Sequence, residues 1–427
     1  MLSMKIGINA RFLGKPYTGI GQYTLNIIRE LSDADPNNEY ILVVSEEIGR
    51  ENKFPANVRT HVIHEIKRGT AGMKKTWWEQ ISVPSFFEKE KVDIAFFPYP
   101  SNPWFGTFYN HKKKIKTVVT VHDTVPWENK NYRKGVLSKL YHFQSKKAVK
   151  KADIVLTVSN YSKSRIEKVC HILPAKIKVI YNAANEIFTG PAEEKITNAI
   201  MEKFGLRKNK FFLYCGGYDE RKNVRKLIEE YLSFADKTSN QELSKTAQCE
   251  AASHLRLSCT GQVQRQENGA DNEAVHGFRQ FFEPPALVLA GDRLFTNKLY
   301  IEIDEVVNGK EEKIIRTGFL SDEKLKSLYQ NCLAYINLSK EEGFNIPIIE
   351  AAYCHAPLIL SDIEVHKEVA KNHAIFVDIS KKDEAKKAME KILEKETREN
   401  YSKKSHELAG EYSWKKSAQK LKEVLFS

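Results

Sequence analysis

Two carboxylates eight positions apart, in Glu342-Gly-Phe-Asn-Ile-Pro-Ile-Ile-Glu350, are the most informative residues of this 427-residue chain. Pro347 suits the first turn of a helix. Glu342 is therefore expected in the loop leaving a strand at Ala334–Asn337, and Glu350 about one turn into the following helix. Such a loop, at a strand's carboxyl end and feeding a helix N-terminus, is where open α/β sheets bind ligands. The N–H groups of Gly343, Phe344 and Asn345 would face an anionic or hydroxyl-rich ligand. Carboxylates there would accept hydrogen bonds from sugar and ribose hydroxyls. The plainer reading is a helix start with ordinary acidic dipole partners.

A second segment, Tyr214-Cys-Gly-Gly-Tyr-Asp-Glu-Arg-Lys-Asn223, ends a strand in two glycines and opens a helix with Arg221 and Lys222. Glycines such as Gly217 let the backbone approach a ligand closely. The two cations can neutralise a diphosphate, Arg by a fork and Lys as a point charge. A departing nucleoside diphosphate gathers negative charge, so a cation there lowers the barrier. Two weaker segments lie nearer the N-terminus. Gly19 and Gly21, in Tyr17-Thr-Gly-Ile-Gly21, lack the full dinucleotide fingerprint. They read more simply as a tight turn, although their N–H groups could meet a phosphate. His122 and Asp123 end a strand at Thr117–Val121, where side chains face the cleft. His122 could bond a sugar or orient the acceptor, and Asp123 could hold the loop or help activate the acceptor.

Other patterns fail. Asp33-Ala-Asp35 precedes Pro36-Asn-Asn and reads as a turn rather than a metal site. There is no Walker phosphate loop and no Gly-x-Ser-x-Gly nucleophile elbow. His254 and His276 are isolated.

These residues need elements to hold them. Short apolar runs at Lys5–Asn9, Tyr40–Val44, Ile94–Phe97, Thr117–Val121, Ile154–Val158 and Lys178–Tyr181 suit strands buried on both faces of a parallel sheet. A second series runs through Phe211–Tyr214, Leu287–Ala290, Ile314–Thr317, Ala334–Asn337, Leu358–Leu360 and Ile375–Val377. Helical patterns such as Gln22–Leu31, Val224–Phe234 and Asp322–Gln330 fall between them. This alternation, made twice, predicts an α/β protein of two doubly wound, Rossmann-like domains. Residues 236–285, rich in Gln, Ser, Thr, Asn and Glu, are expected to be disordered or a surface insertion.

Composition bounds the rest. Hydrophobic residues make up 41% and charged residues 29%, a soluble globular balance. There is neither a signal-peptide pattern nor an apolar run long enough to span a bilayer. Six scattered cysteines (170, 215, 249, 259, 332, 354), with no Cys-x-x-Cys, predict buried free thiols and a cytoplasmic protein. The net charge of +12 is uneven: residues 1–185 hold 30 Lys+Arg against 16 Asp+Glu. Lys112–Lys116 and the stretch from Arg133 to Lys151 supply much of that excess. It favours an anionic partner such as a phospholipid surface, a lipid diphosphate or nucleic acid, unless it is only a solvated face.

In order and spacing these segments resemble the retaining glycosyltransferases of family 4, which have the GT-B architecture. The resemblance spans nearly the whole chain outside 236–285. It rests first on Glu342–Glu350 followed by Ala351-Ala-Tyr-Cys-His-Ala-Pro357. Gly19-Ile-Gly21, Val121-His-Asp123, Ala152–Ser159, Arg221-Lys-Asn223, Thr317-Gly-Phe-Leu320 and Tyr412-Ser-Trp414 add to it. It implies an N-terminal acceptor-side domain (1–185), a linker (186–207), a donor-binding domain (208–405) and a last helix (406–427) crossing back. It implies that Glu342 binds donor-sugar hydroxyls and that Glu350 binds the ribose. Lys222, with Arg221, would hold the diphosphate; Gly318, Phe319 and Leu320 would line the base; His122 would touch the transferred sugar. Many members carry an Arg where this chain has Gly217, which leaves the phosphate clamp to Arg221 and Lys222. The implied reaction moves a hexose from a nucleoside diphosphate with retention, without a metal or other cofactor. The pattern is nearest to polysaccharide mannosyltransferases, so GDP-mannose is the first expected donor and a UDP-sugar the second. The acceptor would be a glycan or a lipid-linked molecule, with peripheral contact to an anionic membrane and no nucleic acid. The readings from other classes are a basic nucleic-acid-binding protein and a non-catalytic sugar-binding protein.

Overall fold

The computed structural model describes residues 3–16, 18–49, 53–103, 115–129, 135–239, 284–291, 298–310 and 312–427. Tyr17, Lys112–Lys114, Cys249, Cys259 and most of the 236–285 insertion lie outside these residues.

The chain forms two separate parallel sheets. The first joins β1 (Lys5–Asn9), β2 (Glu39–Val44), β3 (Val58–Val62), β4 (Ile94–Phe97), β5 (Lys116–Val121), β6 (Ile154–Thr157) and β7 (Ile177–Val179). Their spatial order is β3-β2-β1-β4-β5-β6-β7. The second joins β8 (Phe211–Cys215), β9 (Ala286–Ala290), β10 (Ile314–Gly318), β11 (Ala334–Asn337), β12 (Leu358–Ser361) and β13 (Ile375–Val377). Their order is β10-β9-β8-β11-β12-β13. Each sheet reverses direction once, between β1 and β4 in the first and between β8 and β11 in the second. A crevice opens at the carboxyl ends of the strands at such a reversal. The order of strands thus decides which loops can meet a ligand.

Most strands were expected because they are apolar on both faces; every residue of β4, β11 and β12 is buried. β3 was not expected. Its sequence, Val-Arg-Thr-His-Val, has three exposed central residues and pairs only with β2 at the sheet edge. A polar edge strand carries no two-sided apolar run to betray it.

Two features tie the halves together. The Trp414–Phe426 helix, capped by the Ser413 side chain on the Lys416 N–H, lies along the Gly19–Ala34 helix. Trp414, Ala418, Leu421 and Leu425 are buried at helical spacing on that face. Lys422 Nζ donates to the Ala34 carbonyl at 2.8 Å, and Lys116 Nζ donates to the Leu425 carbonyl at 2.9 Å. Second, Glu368 of the C-terminal half meets the start of the Asn160–Cys170 helix. It accepts from the N–H groups of Asn160 (2.6 Å) and Tyr161 (2.8 Å) and from the Tyr181 hydroxyl (2.9 Å). A carboxylate at a helix N-terminus also meets the favourable end of the dipole.

Leu421 is fully buried. Leu421→Ala should therefore cost about 2–5 kcal/mol, the usual range for a core leucine, read as a lowered denaturant midpoint.

Candidate active site

The loop after β11 and the turn after β8 meet at the reversal of the second sheet. Arg221 and Lys222 lie in a short 3-10 turn, Glu220–Lys222, closed by Asn223 in the left-handed region (φ 56°). Asn223 Nδ2 donates to the Leu338 carbonyl at 3.0 Å, and the Arg221 carbonyl accepts from the Lys340 N–H at 2.7 Å. The turn is thus pinned to the end of β11. Glu342 takes both cations: Lys222 Nζ lies 2.6 Å from one carboxylate oxygen and Arg221 Nη1 2.9 Å from the other. Ser339 Oγ donates a third bond at 2.8 Å. Burial alone would raise the Glu342 carboxyl. The charges of Lys222 and Arg221, with the bond from Lys222, outweigh it and bring the group down to about 2. Glu342 is a firm carboxylate at any working pH.

The network continues inward. Ser361 Oγ donates to the Ser339 carbonyl at 2.6 Å and meets His366 Nδ1 at 3.0 Å; His366 Nε2 meets Asn345 Nδ2 at 3.0 Å. Burial pushes the His366 imidazole down to about 4, so it is neutral. The amide N–H of Asn345 then donates to Nε2, and Nδ1 carries the proton. This holds Asn345 in the left-handed region (φ 73°) as the cap of the Ile346–Tyr353 helix. Phe344 is buried, with its ring against Tyr181 and Tyr412. Its side chain is an anchor, and only its backbone is left for a ligand.

The first sheet brings His122 and Asp123 to the same place. An alanine methyl at Gly343 would lie 2.2 Å from the His122 carbonyl oxygen and 3.3 Å from the Asp123 side chain. The Gly343 carbonyl accepts from Ser159 Oγ at 2.7 Å and from Ser162 Oγ at 3.2 Å, across the seam. His122 Nε2 meets the Pro98 carbonyl at 2.9 Å, and burial lowers its pKa to about 4. The ring is therefore neutral and donates through Nε2, which leaves Nδ1 as an acceptor. Tyr23 packs edge-on to His122 (4.8 Å between rings) and to Trp414 (6.0 Å), so the closing helix buttresses the imidazole. Asp123 accepts from the Val125 N–H at 3.0 Å. Burial raises its carboxyl; Arg221 pulls it down and Glu342 pushes it up, as charges in one crevice must.

The remaining candidates lie outside this group of contacts. Glu350 accepts from the Tyr329 hydroxyl at 3.2 Å, and burial, with the charge of Asp322, raises it to about 8. The Gly217 carbonyl accepts from the Tyr214 hydroxyl at 2.6 Å. Gly318 ends β10, Phe319 and Leu320 follow it, and Phe319 is half exposed. The Gly291 N–H donates to the Gly318 carbonyl at 3.0 Å, which draws the β9 and β10 ends together. Gly21 is a correction: its N–H goes to the Thr18 side chain at 3.1 Å, so that donor caps a helix and is not open to a phosphate. Gly19 is exposed and one residue from that cap. The sequence reading missed Ser159, Ser162, Glu368 and Gly291. Gly291 had a signal, an Ala-Gly-Asp after a strand; the serines and Glu368 matter only through contacts across the seam.

Two doubly wound domains with their switch points face to face, and a carboxylate held by two cations between them, define a glycosyltransferase of the GT-B architecture. Residues 17–186 match the model for "Glycosyltransferase Family 4", and residues 273–408 match that for "Glycosyl transferases group 1". The chain belongs to family 4 of the glycosyltransferases. It is 24% identical over 382 residues to the O-antigen chain mannosyltransferase RfbU of Salmonella typhimurium, covering 87% of this chain and 86% of that protein. It is 23% identical to the O-antigen chain mannosyltransferase B of Escherichia coli, covering 88% and 87%. The fold is shared with Anabaena HepE in complex with UDP and glucose (TM-score 0.67, 14% identity, 100% of each chain). It is also shared with WaaG, a glycosyltransferase involved in lipopolysaccharide biosynthesis (TM-score 0.65, 12% identity, 99% of each chain).

Two tests follow from the geometry. Gly343→Ala must push the two loops apart, so transfer should fall at least about tenfold, as small misplacements do, while the melting temperature stays within a few degrees. Glu350 has a raised folded pKa, so its stabilising contribution is complete below the unfolded carboxyl value and is lost as pH rises through about 8. Glu350→Gln should therefore gain thermal stability relative to the parent as pH is taken from 5 to 9; a constant difference would contradict the shift.

Proposed function

We propose that this enzyme moves a hexose from a nucleoside diphosphate sugar to a glycan or lipid-linked acceptor of polysaccharide assembly, with retention and without a metal. The carrying observation is Glu342 shared between Lys222 and Arg221 beside His122 and Asp123. In this arrangement the two cations are already paired, and a donor must exchange partners with them. Its diphosphate would take Lys222 and Arg221, and its sugar hydroxyls would take the released Glu342. One carboxylate thus keeps the cations oriented until an anion replaces it.

The transfer would use one face of the sugar. The bond between the anomeric carbon and the diphosphate breaks, and its electron pair leaves with the phosphate. The acceptor oxygen bonds to the same carbon from that side, and its proton passes to a leaving phosphate oxygen. Lys222 and Arg221 would stabilise the growing charge. His122, neutral and with Nδ1 unprotonated, would accept a bond from a sugar hydroxyl. Glu350 and Tyr329 would meet the ribose, and the half-exposed ring of Phe319 would meet the base. Among the described residues no three His, Cys, Asp or Glu side chains are grouped to hold a metal ion. GDP-mannose is the first donor to try, supported by the similarity to mannosyltransferases, and a UDP-sugar the second.

A panel of nucleotide sugars tests the reading: turnover of none would overturn it. Lys222→Ala should cut turnover by on the order of a hundredfold or more, and a loss below about threefold would place the clamp elsewhere. Glu342→Ala should abolish transfer yet bind the free nucleoside diphosphate at least as tightly as the parent, because the cations lose their competitor.

A further inference from the structure

A cavity of about 640 Å³ opens in the N-terminal domain, away from Glu342. It lies between the Ala71–Trp77 helix, with its π-helical continuation Trp78–Ser82, and the Val136–Lys151 helix. Its volume is in the range of small-molecule sites. Met73, Trp77, Ile81 and Leu140 give it apolar walls. Met73, Trp77 and Leu140 are each about half exposed, an unusual grouping for large apolar side chains on one surface.

The floor is polar and organised. Lys75 Nζ donates to the Tyr141 hydroxyl at 2.9 Å and lies 3.7 Å from Glu79, which is buried and accepts from the Tyr99 hydroxyl at 2.8 Å. A π-helical turn carries Glu79 inward, and such turns recur at functional sites. The transfer chemistry at Glu342 uses none of these groups. Loop 98–102 makes contacts toward both the cavity and the candidate active site. On one side Gln80, which lines the cavity, donates to the carbonyls of Ser101 and Asn102. On the other, Pro98 accepts from His122. The Val136–Lys151 helix also carries Lys139, Lys146, Lys147, Lys150 and Lys151, within the half of the chain that holds the positive excess.

We propose that this cavity seats the apolar chain of an anionic lipid acceptor, whose head group then lies along loop 98–102 toward His122. An apolar slot with Lys75 in its lining, in the half of the chain that holds the positive excess, fits an amphiphile carrying phosphate better than a free sugar. The positive excess of this half concentrates the anion, and the slot selects those with a chain. This inference rests on the N-terminal domain being the acceptor side.

Dodecyl phosphate, below its micelle-forming concentration, is the probe, with butyl phosphate as the chainless control and calorimetry as the readout. Gly72 lines the cavity, and a side chain there meets nothing within 4 Å. Gly72→Leu should therefore fill the slot without loss of fold, since leucine also favours helix over glycine. Saturable binding of dodecyl phosphate, at least tenfold tighter than butyl phosphate and at least tenfold weaker in Gly72→Leu and in Leu140→Gln, is the expected result. Equal binding of the two phosphates, or unchanged binding in both variants, overturns the proposal. So does attachment of the parent to phosphatidylglycerol vesicles with no binding of the free amphiphile, which would make the patch a membrane contact. GDP and UDP binding, measured on the same samples, separates the two readings. A protein that binds nucleotide but not dodecyl phosphate loses only this cavity, and one that turns over no nucleotide sugar loses the transferase reading itself.

Discussion

A buried carboxylate cannot remain charged without partners, and Glu342 answers that constraint with two. Removing either partner would leave charge stranded in a poorly solvated place, so the turn after β8 and the loop after β11 are obliged to stay together. The pairing in turn fixes the geometry of everything near it. It holds the 3-10 turn against the end of β11, and through Ser339 and Ser361 it reaches His366 and Asn345. The left-handed Asn345 that starts the next helix is set by the same chain of bonds. The Glu342 carboxylate and a backbone conformation are thus parts of one network.

That network meets the other domain through backbone more than side chains. Gly343 touches the His122 carbonyl, and its own carbonyl takes two serine hydroxyls from the first half. Contacts of this kind need an absent side chain on one partner and small hydroxyls on the other. They are short, directional and easily remade. The Glu368 carboxylate at the start of the Asn160–Cys170 helix works alike, taking backbone N–H groups of the first half.

How much of this was legible in the sequence follows from the range of each interaction. The strands of both sheets are local apolar runs, and only β3, polar and at an edge, was missed. Glu342, Lys222, Arg221, His122 and Asp123 could be picked out because each ends a strand or opens a helix, and those are the loops that the strand order brings together. The pairing of Glu342 with both cations was not legible, because 120 residues separate Lys222 from it. Nor were Ser159, Ser162 and Glu368, ordinary polar residues whose meaning lies wholly in what stands opposite. Gly21 was read more simply as part of a tight turn, with a phosphate contact as the weaker alternative, and its N–H is spent on a helix cap. The four cysteines among the described residues are free, and burial raises each thiol.

The closing helix has a consequence for how the molecule is made. The first domain to leave the ribosome lacks the surface that covers its own Gly19–Ala34 helix until Trp414–Phe426 has been synthesised. At roughly 5–20 residues per second, that interval is on the order of ten to fifty seconds. Throughout it the nascent N-terminal domain presents an uncovered apolar stripe, the kind of surface a chaperone recognises. Tyr23, the ring between His122 and Trp414, gains its second aromatic neighbour only then. The His122 imidazole of the domain made first is thus buttressed by a helix made last, so a polypeptide without Trp414–Phe426 would be folded in large part and yet lack that support.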